Sequence, residues 1–477
     1  MENALIKARG LNFKYVESTE GIHDVDFCVN EGEVVLLTGN SGSGKSTLLK
    51  CLNGIIPTIT EGELSGDLSI GEKNFKDLKM FRLNQFIGSV FQNPRSQFFT
   101  DDTTAELVFP MENYGYTKAQ MDERLEQLKE TFGISKLLNK NVYTLSSGER
   151  QLIALASAVT MDQNILLFDE PSANLDYKNA CRLGEILRSL KKKGYTAIVA
   201  DHRFYYLSGV IDKVLFMENG ELSIYNSEEE FRKAKYNTRS FDIFLADIPL
   251  QKHKEKEREV ARLENVSYQN ILKDITFSIN KGEIVALLGN NGAGKTTLAK
   301  VLCKSIKQDS GTAKTEKLPF FIMQDPDYQL FGTSVYNELE LVNNDPKRIN
   351  ECLKYLGLDK YKYKHPFDLS GGQKQRLQIA MAILCDRDLI IFDEPTSGLD
   401  VDSMKNVSDE ITKLKEKSGI LVISHDYEFI RRVADRIIYL KDGVLKSDFN
   451  LDKDTLSDLN NIFINMKEEK KDENVEN

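Results

Sequence analysis

The sequence predicts two tandem α/β domains, each built on a mostly parallel β-sheet. The first observation is an internal repeat, in which "VVLLTGNSGSGKSTLLK" (34–50) aligns with "IVALLGNNGAGKTTLAK" (284–300). The second is the pair of apolar runs "ILLF" and "LIIF", which precede the matching phrases "DEPSANLD" and "DEPTSGLD". Such runs are typical of strands that are buried on both faces of a parallel sheet. The third is the length of 477 residues, which is too great for one ordinary core.

Composition along the chain suggests where these domains end. We predict a first domain over residues 1–234, a charged linker over 235–258, a second domain over 259–450 and a C-terminal segment over 451–477. The linker contains "QKHKEKERE", which is almost entirely charged, and such runs are typical of solvated segments. The C-terminal segment ends in "MKEEKKDENVEN", which we expect to be a disordered tail.

Charge and cysteine content narrow the class of protein. A net charge of −10 argues against non-specific nucleic-acid binding, which depends on Lys and Arg neutralising phosphates. The six cysteines are scattered without a CxxC pair, so we expect reduced thiols in a cytosolic protein. The N-terminus lacks the apolar core of a signal peptide, and no apolar run approaches the roughly 18 residues that span a bilayer. We therefore expect a cytoplasmic protein that is able to dock on a membrane protein.

Two glycine-rich segments satisfy the pattern GxxxxGK[ST], and each follows an apolar strand and opens a helix. Glycines there let backbone N–H groups wrap a phosphate at a helix N-terminus. We predict that Lys45 and Lys295 reach the β- and γ-phosphates of a nucleotide, and that Ser46 and Thr296 offer hydroxyls to Mg²⁺. The predicted nucleotide-binding residues are Gly39, Asn40, Ser41, Gly42, Ser43, Gly44, Lys45, Ser46 and Thr47 in the first copy, and Gly289, Asn290, Asn291, Gly292, Ala293, Gly294, Lys295, Thr296 and Thr297 in the second.

Acidic residues end the next pair of apolar strands. Asp169 and Asp393 stand where a carboxylate can hold Mg²⁺ through water. Glu170 and Glu394 follow directly and point to the other face of the strand end, where each could polarise a water for in-line attack on the γ-phosphate. Both acidic pairs are predicted to serve catalysis.

A histidine follows a further apolar run in each copy, in "VADHR" (199–203) and "VISHD" (422–426). A single histidine is more often structural, but His202 and His425 occupy matched positions. We predict that both lie within reach of the γ-phosphate.

The order of the motifs resembles the ATPase domains of ATP-binding-cassette proteins. That order is phosphate loop, Gln, LSGGQ, FDEP, D-loop and His, and "LSSGERQ" (145–151) and "LSGGQKQ" (369–375) supply the most specific phrase. The resemblance covers nearly the whole chain and implies in each domain an antiparallel β part and a helical subdomain beside the parallel core. It also implies that the domains meet head to tail, so that each of two ATP molecules lies on one phosphate loop and is covered by the other domain's LSGGQ phrase.

The resemblance also assigns further site residues. Gln92 and Gln324 match the Q-loop glutamines, which assist catalysis and touch Mg²⁺. Tyr15 matches the aromatic residue that stacks on adenine. The remaining matches are Ser146, Ser147 and Gly148 in the first LSGGQ phrase, Ser370, Gly371, Gly372 and Gln373 in the second, and Asp176 and Asp400 in the D-loops.

The segments after the Q-loops point to one branch of this family. "QNPRSQFF" (92–99) and "QDPDYQLF" (324–331) are similar to the ATPases of energy-coupling-factor importers, which take up vitamins or transition-metal ions. That resemblance implies a motor subunit on the cytoplasmic face of the membrane, with a transmembrane scaffold protein and a small substrate-binding membrane protein as partners. Gln97 with Phe98, and Gln329 with Phe331, are predicted to contact them.

Two other classes of fused ATPase remain as alternatives. Ribosome-associated tandem-cassette proteins join their cassettes by a long basic helical arm, whereas the linker here is short and of mixed charge. Fused ATPases of sugar-type importers usually lack one catalytic glutamate, whereas Glu170 and Glu394 are both present. The cysteine pattern does not provide the zinc-binding insertions of DNA-repair cassette proteins.

The first LSGGQ phrase departs from the family pattern, with Ser147 in place of glycine and Glu149 in place of glutamine. Glu149 adds an anion near a triphosphate. By head-to-tail pairing this phrase serves the second phosphate loop, whose adenine-stacking position holds Asn270, with Tyr268 two residues earlier. We therefore predict unequal ATP sites, of which the one built on Tyr15 is the stronger.

Overall fold

The computed structural model describes residues 4–16, 20–91, 97–251 and 257–468. The chain divides into two compact units, which are described separately below. The first comprises Met1–Leu175 and Asn179–Asp242, and the second comprises Asp176–Lys178 and Ile243–Asn477.

The centre of the first unit is a six-stranded sheet of order β10-β9-β3-β8-β7-β6, in which only the β10-β9 pair is antiparallel among the described strands. A second sheet, of order β2-β1-β4-β5, is antiparallel. The strands are β1 Ala4–Tyr15, β2 Gly21–Asn30, β3 Val34–Gly39, β4 Gly62–Ile70, β5 Lys73–Asn74, β6 Ile87–Val90, β7 Ile165–Asp169, β8 Thr196–Ala200, β9 Lys213–Glu218 and β10 Glu221–Tyr225.

Helices surround this sheet on both faces. They are α1 Lys45–Leu52, α2 Ile55–Thr58, α3 Met80–Leu83, α4 Thr103–Asn113, α5 Lys118–Phe132, α6 Ser147–Ala158, α7 Tyr177–Lys192 and α8 Glu228–Ala234. Strands β3, β7 and β8 are buried over almost their whole length, as their uninterrupted apolar sequences require. One core lies on each face of the sheet, since alternate residues of β3 such as Leu36 and Leu37 belong to different apolar clusters.

The second unit repeats this plan. Its six-stranded sheet has the order β15-β16-β17-β13-β18-β19, and the β18-β19 pair is again antiparallel. Its antiparallel sheet has the order β12-β11-β14. The strands are β11 Glu259–Tyr268, β12 Leu272–Asn280, β13 Ile284–Leu288, β14 Ser310–Thr315, β15 Phe320–Ile322, β16 Leu389–Asp393, β17 Gly419–Ile423, β18 Arg436–Lys441 and β19 Val444–Asn450. The helices are α9 Lys295–Leu302, α10 Val335–Glu340, α11 Pro346–Tyr355, α12 Gly371–Leu384, α13 Val401–Leu414, α14 Tyr427–Val433 and α15 Leu456–Glu468.

The predicted fold class is confirmed: each unit has a mostly parallel core sheet, an antiparallel sheet and helices between the phosphate loop and the DEP strand. The predicted linker 235–258 includes the buried side chains of Phe241, Ile243 and Ile248, while residues 252–256 lie outside the described part. Within 451–477, α15 buries Phe463, and residues 469–477 lie outside the described part. In the portion of the chain that the structure describes, no helix is both long and apolar enough to cross a bilayer.

Candidate functional site

The first phosphate loop, residues 39–46, connects the end of β3 to the start of α1. Gly39 and Gly44 have φ values of 142° and 105°, which side chains other than glycine rarely adopt. Lys45 is 5% exposed, and its ammonium group donates hydrogen bonds of 2.9 Å to the carbonyl oxygens of Gly39 and Asn40. The loop therefore holds a buried cation at a helix N-terminus, which is the electrostatic requirement of a phosphate site.

The second phosphate loop, residues 289–296, has the same conformation between β13 and α9. Gly289 and Gly294 have φ values of 155° and 101°. The ammonium group of Lys295 donates to the carbonyl oxygens of Gly289 and Asn290 at 2.7 and 3.1 Å. Burial lowers the pKa of Lys295, and the neighbouring carboxylates oppose that shift.

Strands β7 and β16 bring the predicted magnesium ligands beside these loops. Ser46 Oγ donates a hydrogen bond of 3.1 Å to Asp169 Oδ1, and Thr296 Oγ1 donates one of 3.0 Å to Asp393 Oδ2. Burial raises the pKa of both aspartates. A hydroxyl and a carboxylate that converge in this way are the hard oxygen ligands that Mg²⁺ prefers.

The glutamates that follow turn sharply away from their strands. Glu170 and Glu394 have φ values of 46° and 48°, a conformation in which residues other than glycine are strained. This turn directs each carboxylate to a histidine: His202 Nε2 lies 3.6 Å from Glu170 Oε1, and His425 Nε2 lies 3.3 Å from Glu394 Oε1. Each unit thus places one predicted water-activating glutamate beside one predicted phosphate-contacting histidine.

The electrostatic environment of Glu170 favours proton uptake. Burial, with smaller contributions from Asp201 and Asp169, raises the pKa of its carboxyl group to about 8, although Lys45 and Arg203 oppose the shift. A base is most effective when its pKa lies near the working pH. The Glu170 carboxyl group therefore binds a proton more tightly than the carboxyl group of an exposed glutamate does.

Several features of the phosphate loops fit a magnesium-bound nucleoside triphosphate. Ser43 lies inside the first loop, and its buried Oγ has no hydrogen-bond partner among the residues that the structure describes. A buried hydroxyl without a partner costs free energy that a ligand can recover. A Cβ added to Gly42 or Gly292 would meet no atom within 4 Å, so both glycines border open space.

The two LSGGQ phrases begin helices α6 and α12. Ser146 is the N-cap of α6. The Glu149 side chain accepts a hydrogen bond of 2.9 Å from the backbone N–H of Ser146 and one of 2.8 Å from the Ser146 hydroxyl. In α12 the backbone N–H of Ser370 donates to Gln373 Oε1 at 3.0 Å. Glu149 is therefore the acidic member of a capping box, a role that either Glu or Gln fills. The other residues of these phrases, Ser147, Gly148, Gly371 and Gly372, form the first turns of the helices.

The predicted adenine-stacking residues differ between the units. Tyr15 ends β1, its hydroxyl lies 2.9 Å from Thr47 Oγ1, and its ring meets Phe13 edge to face at 4.8 Å. In the second unit Tyr268 ends β11 and is half-buried, whereas Asn270 lies exposed in the following turn. An aromatic ring is thus fixed beside the first phosphate loop, and the aligned position of the second unit carries an amide.

The D-loop aspartates are both buried. Asp176, which belongs to the second unit together with Tyr177 and Lys178, accepts a hydrogen bond of 2.9 Å from the backbone N–H of Asn291. Asp400 caps α13 by accepting a hydrogen bond of 2.7 Å from the backbone N–H of Ser403.

Of the Q-loop glutamines, Gln92 lies outside the described residues and Gln324 is exposed after β15. The glutamine five residues later in each unit is hydrogen-bonded to the end of the preceding strand. Gln97 accepts from the backbone N–H of Phe91 at 3.2 Å and donates to the carbonyl oxygen of Ser89 at 3.2 Å.

Gln329 makes the matching contacts, with Met323 N–H at 3.1 Å and the Phe321 carbonyl oxygen at 2.7 Å. Both glutamines therefore stabilise their own unit through hydrogen bonds to the backbone.

The exposed aromatic residues that follow these glutamines are Phe99 (77% exposed) and Phe331 (78% exposed), whereas Phe98 packs against the core. The exposed counterpart of Phe331 is thus Phe99. Phe98, which is predicted to contact the partner, is half-buried and aligns with the buried Leu330 of the second unit.

A group of buried polar residues beside Glu170 was not predicted from the sequence. Asp201, Arg203 and Tyr206 meet at the backbone of Ser172, two residues after the glutamate. The available signal was the difference between "VADHR" and "VISHD", where a carboxylate precedes the histidine in one unit and follows it in the other.

Comparison with known proteins agrees with this geometry. The family model described as "ABC transporter" matches residues 22–173 and 272–397, and the chain belongs to that family. A Treponema denticola protein with the provisional name ABC transporter ATP-binding protein is 38% identical over 94% of this chain and 97% of its own length. The chain is therefore an ABC ATPase with two cassettes, and it binds ATP.

Two further similarities are more distant. The provisionally named HMP/thiamine import ATP-binding protein YkoD of Bacillus subtilis is 29% identical, over 93% of this chain and 91% of its own length. A solved archaeal ribosome recycling factor, in complex with a ribosomal stalk protein, has a TM-score of 0.65 at 23% identity, with coverage of 95% and 92%. At that identity the second similarity reflects the shared fold alone.

Proposed function

We propose that this chain is the ATP-hydrolysing subunit of an energy-coupling-factor type importer for a vitamin or a transition-metal ion. The observation that carries the proposal is the matched pair Phe99 and Phe331, exposed at equivalent positions in the two units. Each lies two residues after a glutamine that is hydrogen-bonded to the end of the preceding strand, so the ring is presented at a defined place. A large exposed aromatic side chain on a fixed loop is typical of a protein-binding hot spot.

The similarity to an HMP/thiamine import protein supports the same class of cargo. The partners in this proposal are a transmembrane scaffold protein and a small substrate-binding membrane protein, and the chain docks on them at the cytoplasmic face. Both units carry a glutamate that is paired with a histidine, which favours two hydrolysing sites over the one-sided arrangement that is usual in sugar-type importers.

In this proposal each unit prepares a water molecule for attack on the terminal phosphate of ATP. Lys45 and Lys295 neutralise the β- and γ-phosphates. Ser46 with Asp169, and Thr296 with Asp393, would hold Mg²⁺, which would supply further charge neutralisation. Glu170 and Glu394 orient the attacking water and accept its proton.

The remaining assigned residues contact the nucleotide or connect it to the membrane partner. His202 and His425 each contact the γ-phosphate and keep the adjacent glutamate oriented. Gln92 and Gln324 complete the magnesium shell and link it to the membrane partner. The LSGGQ phrases and the D-loop aspartates, Asp176 and Asp400, complete the contacts to ATP in this proposal.

Uptake measurements in the native host test this function. A strain that lacks the gene is compared with the same strain carrying either the wild-type gene or the Glu170→Gln/Glu394→Gln variant, using labelled thiamine, riboflavin, biotin, Co²⁺ and Ni²⁺. The proposal expects at least one uptake activity to be lost and to be restored by the wild-type gene alone. Unchanged uptake of all five would contradict the assignment to this class of importer.

A further inference from the structure

A buried carboxylate stands beside the catalytic glutamate in both units, but at swapped sequence positions. Asp201 precedes His202 and is 2% exposed, while Asp426 follows His425 and is 5% exposed. Burying a carboxylate costs free energy unless its oxygens accept hydrogen bonds, so both aspartates need hydrogen-bond donors close by.

In the first unit, Asp201 gathers three donors. Its carboxylate accepts hydrogen bonds from the backbone N–H of Ser172 at 3.2 Å, the backbone N–H of Arg203 at 3.0 Å and the Tyr206 hydroxyl at 2.7 Å. The guanidinium group of Arg203 donates to the carbonyl oxygen of Ser172 and, at 3.1 Å, to that of Ala173. The peptide groups that follow the DEP triplet are thus held from both sides.

In the second unit, different residues make the equivalent connection. Asp426 accepts hydrogen bonds from the Thr396 hydroxyl at 3.0 Å and the backbone N–H of Phe429 at 3.2 Å. Ser424 replaces Asp201 in the alignment, and its hydroxyl lies 3.4 Å from Glu394 Oε2 and accepts from the backbone N–H of Asp426 at 3.1 Å. Thr396 aligns with Ser172, so both connections end two residues after the glutamate.

These contacts lie next to the backbone of the two glutamates, Glu170 and Glu394. Glu170 adopts a strained backbone conformation, and its N–H donates to the carbonyl oxygen of Ala200 at 2.8 Å, immediately before Asp201. Glu394 does the same with Ile423, immediately before Ser424. Each strained glutamate is therefore fixed between the end of a strand and the loop that its aspartate holds, and such strain persists only where the surroundings over-determine it.

We propose that Asp201 with Arg203, and Asp426 with Thr396, are two alternative clamps that position the water-activating glutamate, each working only as a complete set. Neither aspartate acts on ATP directly; each is a positioning residue for Glu170 or Glu394. This inference rests on the proposed role of those glutamates. It explains how Glu170 and Glu394 adopt the same backbone conformation although Arg203 stands where the second unit has Asp426.

The two sets cannot be mixed, for electrostatic reasons. Replacing Asp201 alone leaves the buried Arg203 guanidinium without the carboxylate that faces it across Ser172. Replacing Arg203 alone with aspartate buries two carboxylates side by side. Like charges at such a distance repel strongly in a poorly solvated site.

The experiment converts the first clamp into the second within the full chain. A Glu394→Gln background confines turnover to Glu170, and ATPase kinetics, ATP affinity and Tm are measured. We expect Asp201→Ser to lower kcat by about 30-fold through misplacement of the base, while ATP affinity stays within about threefold. The triple change Ser172→Thr/Asp201→Ser/Arg203→Asp is expected to restore most of the lost kcat.

Asp201→Asn serves as a second variant, because it keeps the shape of the side chain and removes its charge. It is expected to fold and to show the same selective loss of kcat. Wild-type kcat in folded Asp201→Ser and Asp201→Asn, or a triple variant no better than Asp201→Ser at equal Tm, would overturn the clamp. If Glu170→Gln itself turned over normally, the proposed role of the glutamate would fail instead, which separates the two ideas.

Discussion

The hydroxyl of Ser146 donates a hydrogen bond of 2.8 Å to the carboxylate of Glu149 at the start of α6. The corresponding pair in the second unit, Ser370 and Gln373, is joined through the serine backbone N–H. Replacing glutamine by glutamate therefore preserves the helix cap but commits the serine hydroxyl to an anion. Hydrogen bonds to a carboxylate are roughly twice as strong as neutral ones, so this hydroxyl is less available to a phosphate.

The first prediction concerns this pair. Glu149→Gln should raise the ATPase activity of the assembled complex by about two- to fivefold, because it removes an anion and releases the Ser146 hydroxyl; this corresponds to about 0.4–1 kcal/mol. Steady-state ATPase assays measure the change. Gln373→Glu is the matched control and should lower activity, and a fall in activity with Glu149→Gln would show that the carboxylate is needed for more than the cap.

The second prediction separates binding from turnover. Glu170→Gln with Glu394→Gln should leave ATP bound but reduce hydrolysis by at least about 100-fold, because a general base contributes 10²–10⁴-fold. Lys45→Ala with Lys295→Ala should instead abolish ATP binding by removing the buried cations. Equilibrium binding and hydrolysis are measured on both variants. Near-normal hydrolysis by the glutamate variant would exclude these groups as the water-activating base.

The third prediction concerns the adenine-binding positions. Tyr15→Ala should weaken ATP binding by about 1–3 kcal/mol at the first phosphate loop, by analogy with the stacking of nucleic-acid bases on aromatic rings. Asn270→Tyr should tighten binding at the second loop. Titration with a fluorescent ATP analogue resolves the two affinities. Equal affinities in the wild type, unchanged by either substitution, would contradict unequal nucleotide sites.

The fourth prediction follows from the same asymmetry. Glu170→Gln alone should reduce ATPase activity of the assembled complex more than Glu394→Gln alone, because Tyr15 provides an aromatic ring beside the first phosphate loop and the aligned position of the second unit holds Asn270. Side-by-side turnover rates at saturating ATP test this ranking. Equal losses of ATPase activity in the two single variants would contradict the ranking of the two ATP sites.

Much of the fold followed from sequence because the motifs mark strand ends. The phosphate loops and the DEP strands required parallel strands that are buried on both faces, and a β-sheet of that type is what each unit contains. The Glu149 substitution had a local signal as well, since Ser146 and Glu149 form the S-x-x-E pattern of a capping box. The Glu149 carboxylate is therefore part of the helix cap and is not a free anion.

Other features depended on tertiary contacts that no local pattern reveals. Asp201 precedes its histidine and meets Ser172, whereas Asp426 follows its histidine and meets Thr396. These contacts depend on how β7 pairs with β8 and how β16 pairs with β17. Likewise, "QFF" and "QLF" do not indicate that Phe98 is half-buried and Phe99 exposed, because that difference is decided by packing against a core cluster whose residues are distant in sequence. Gln97 and Gln329 were expected at a partner interface, and the contacts that define them are to their own strands.

Affinity isolation of the tagged full chain from detergent-solubilised membranes of its native host tests the importer assignment most directly. Three forms are compared: wild type, Phe99→Ser/Phe331→Ser, and Phe81→Ser/Tyr363→Ser, which removes two exposed aromatics elsewhere. We predict that a multi-spanning membrane protein co-isolates in fixed ratio with the wild type and the control, and that the Phe99/Phe331 variant loses at least about 90% of it at unchanged ATP affinity, as expected when about 1.4 kcal/mol or more of interface free energy is removed. Recovery of ribosomes without a membrane protein, or full retention of the membrane protein by the Phe99/Phe331 variant, would contradict the account.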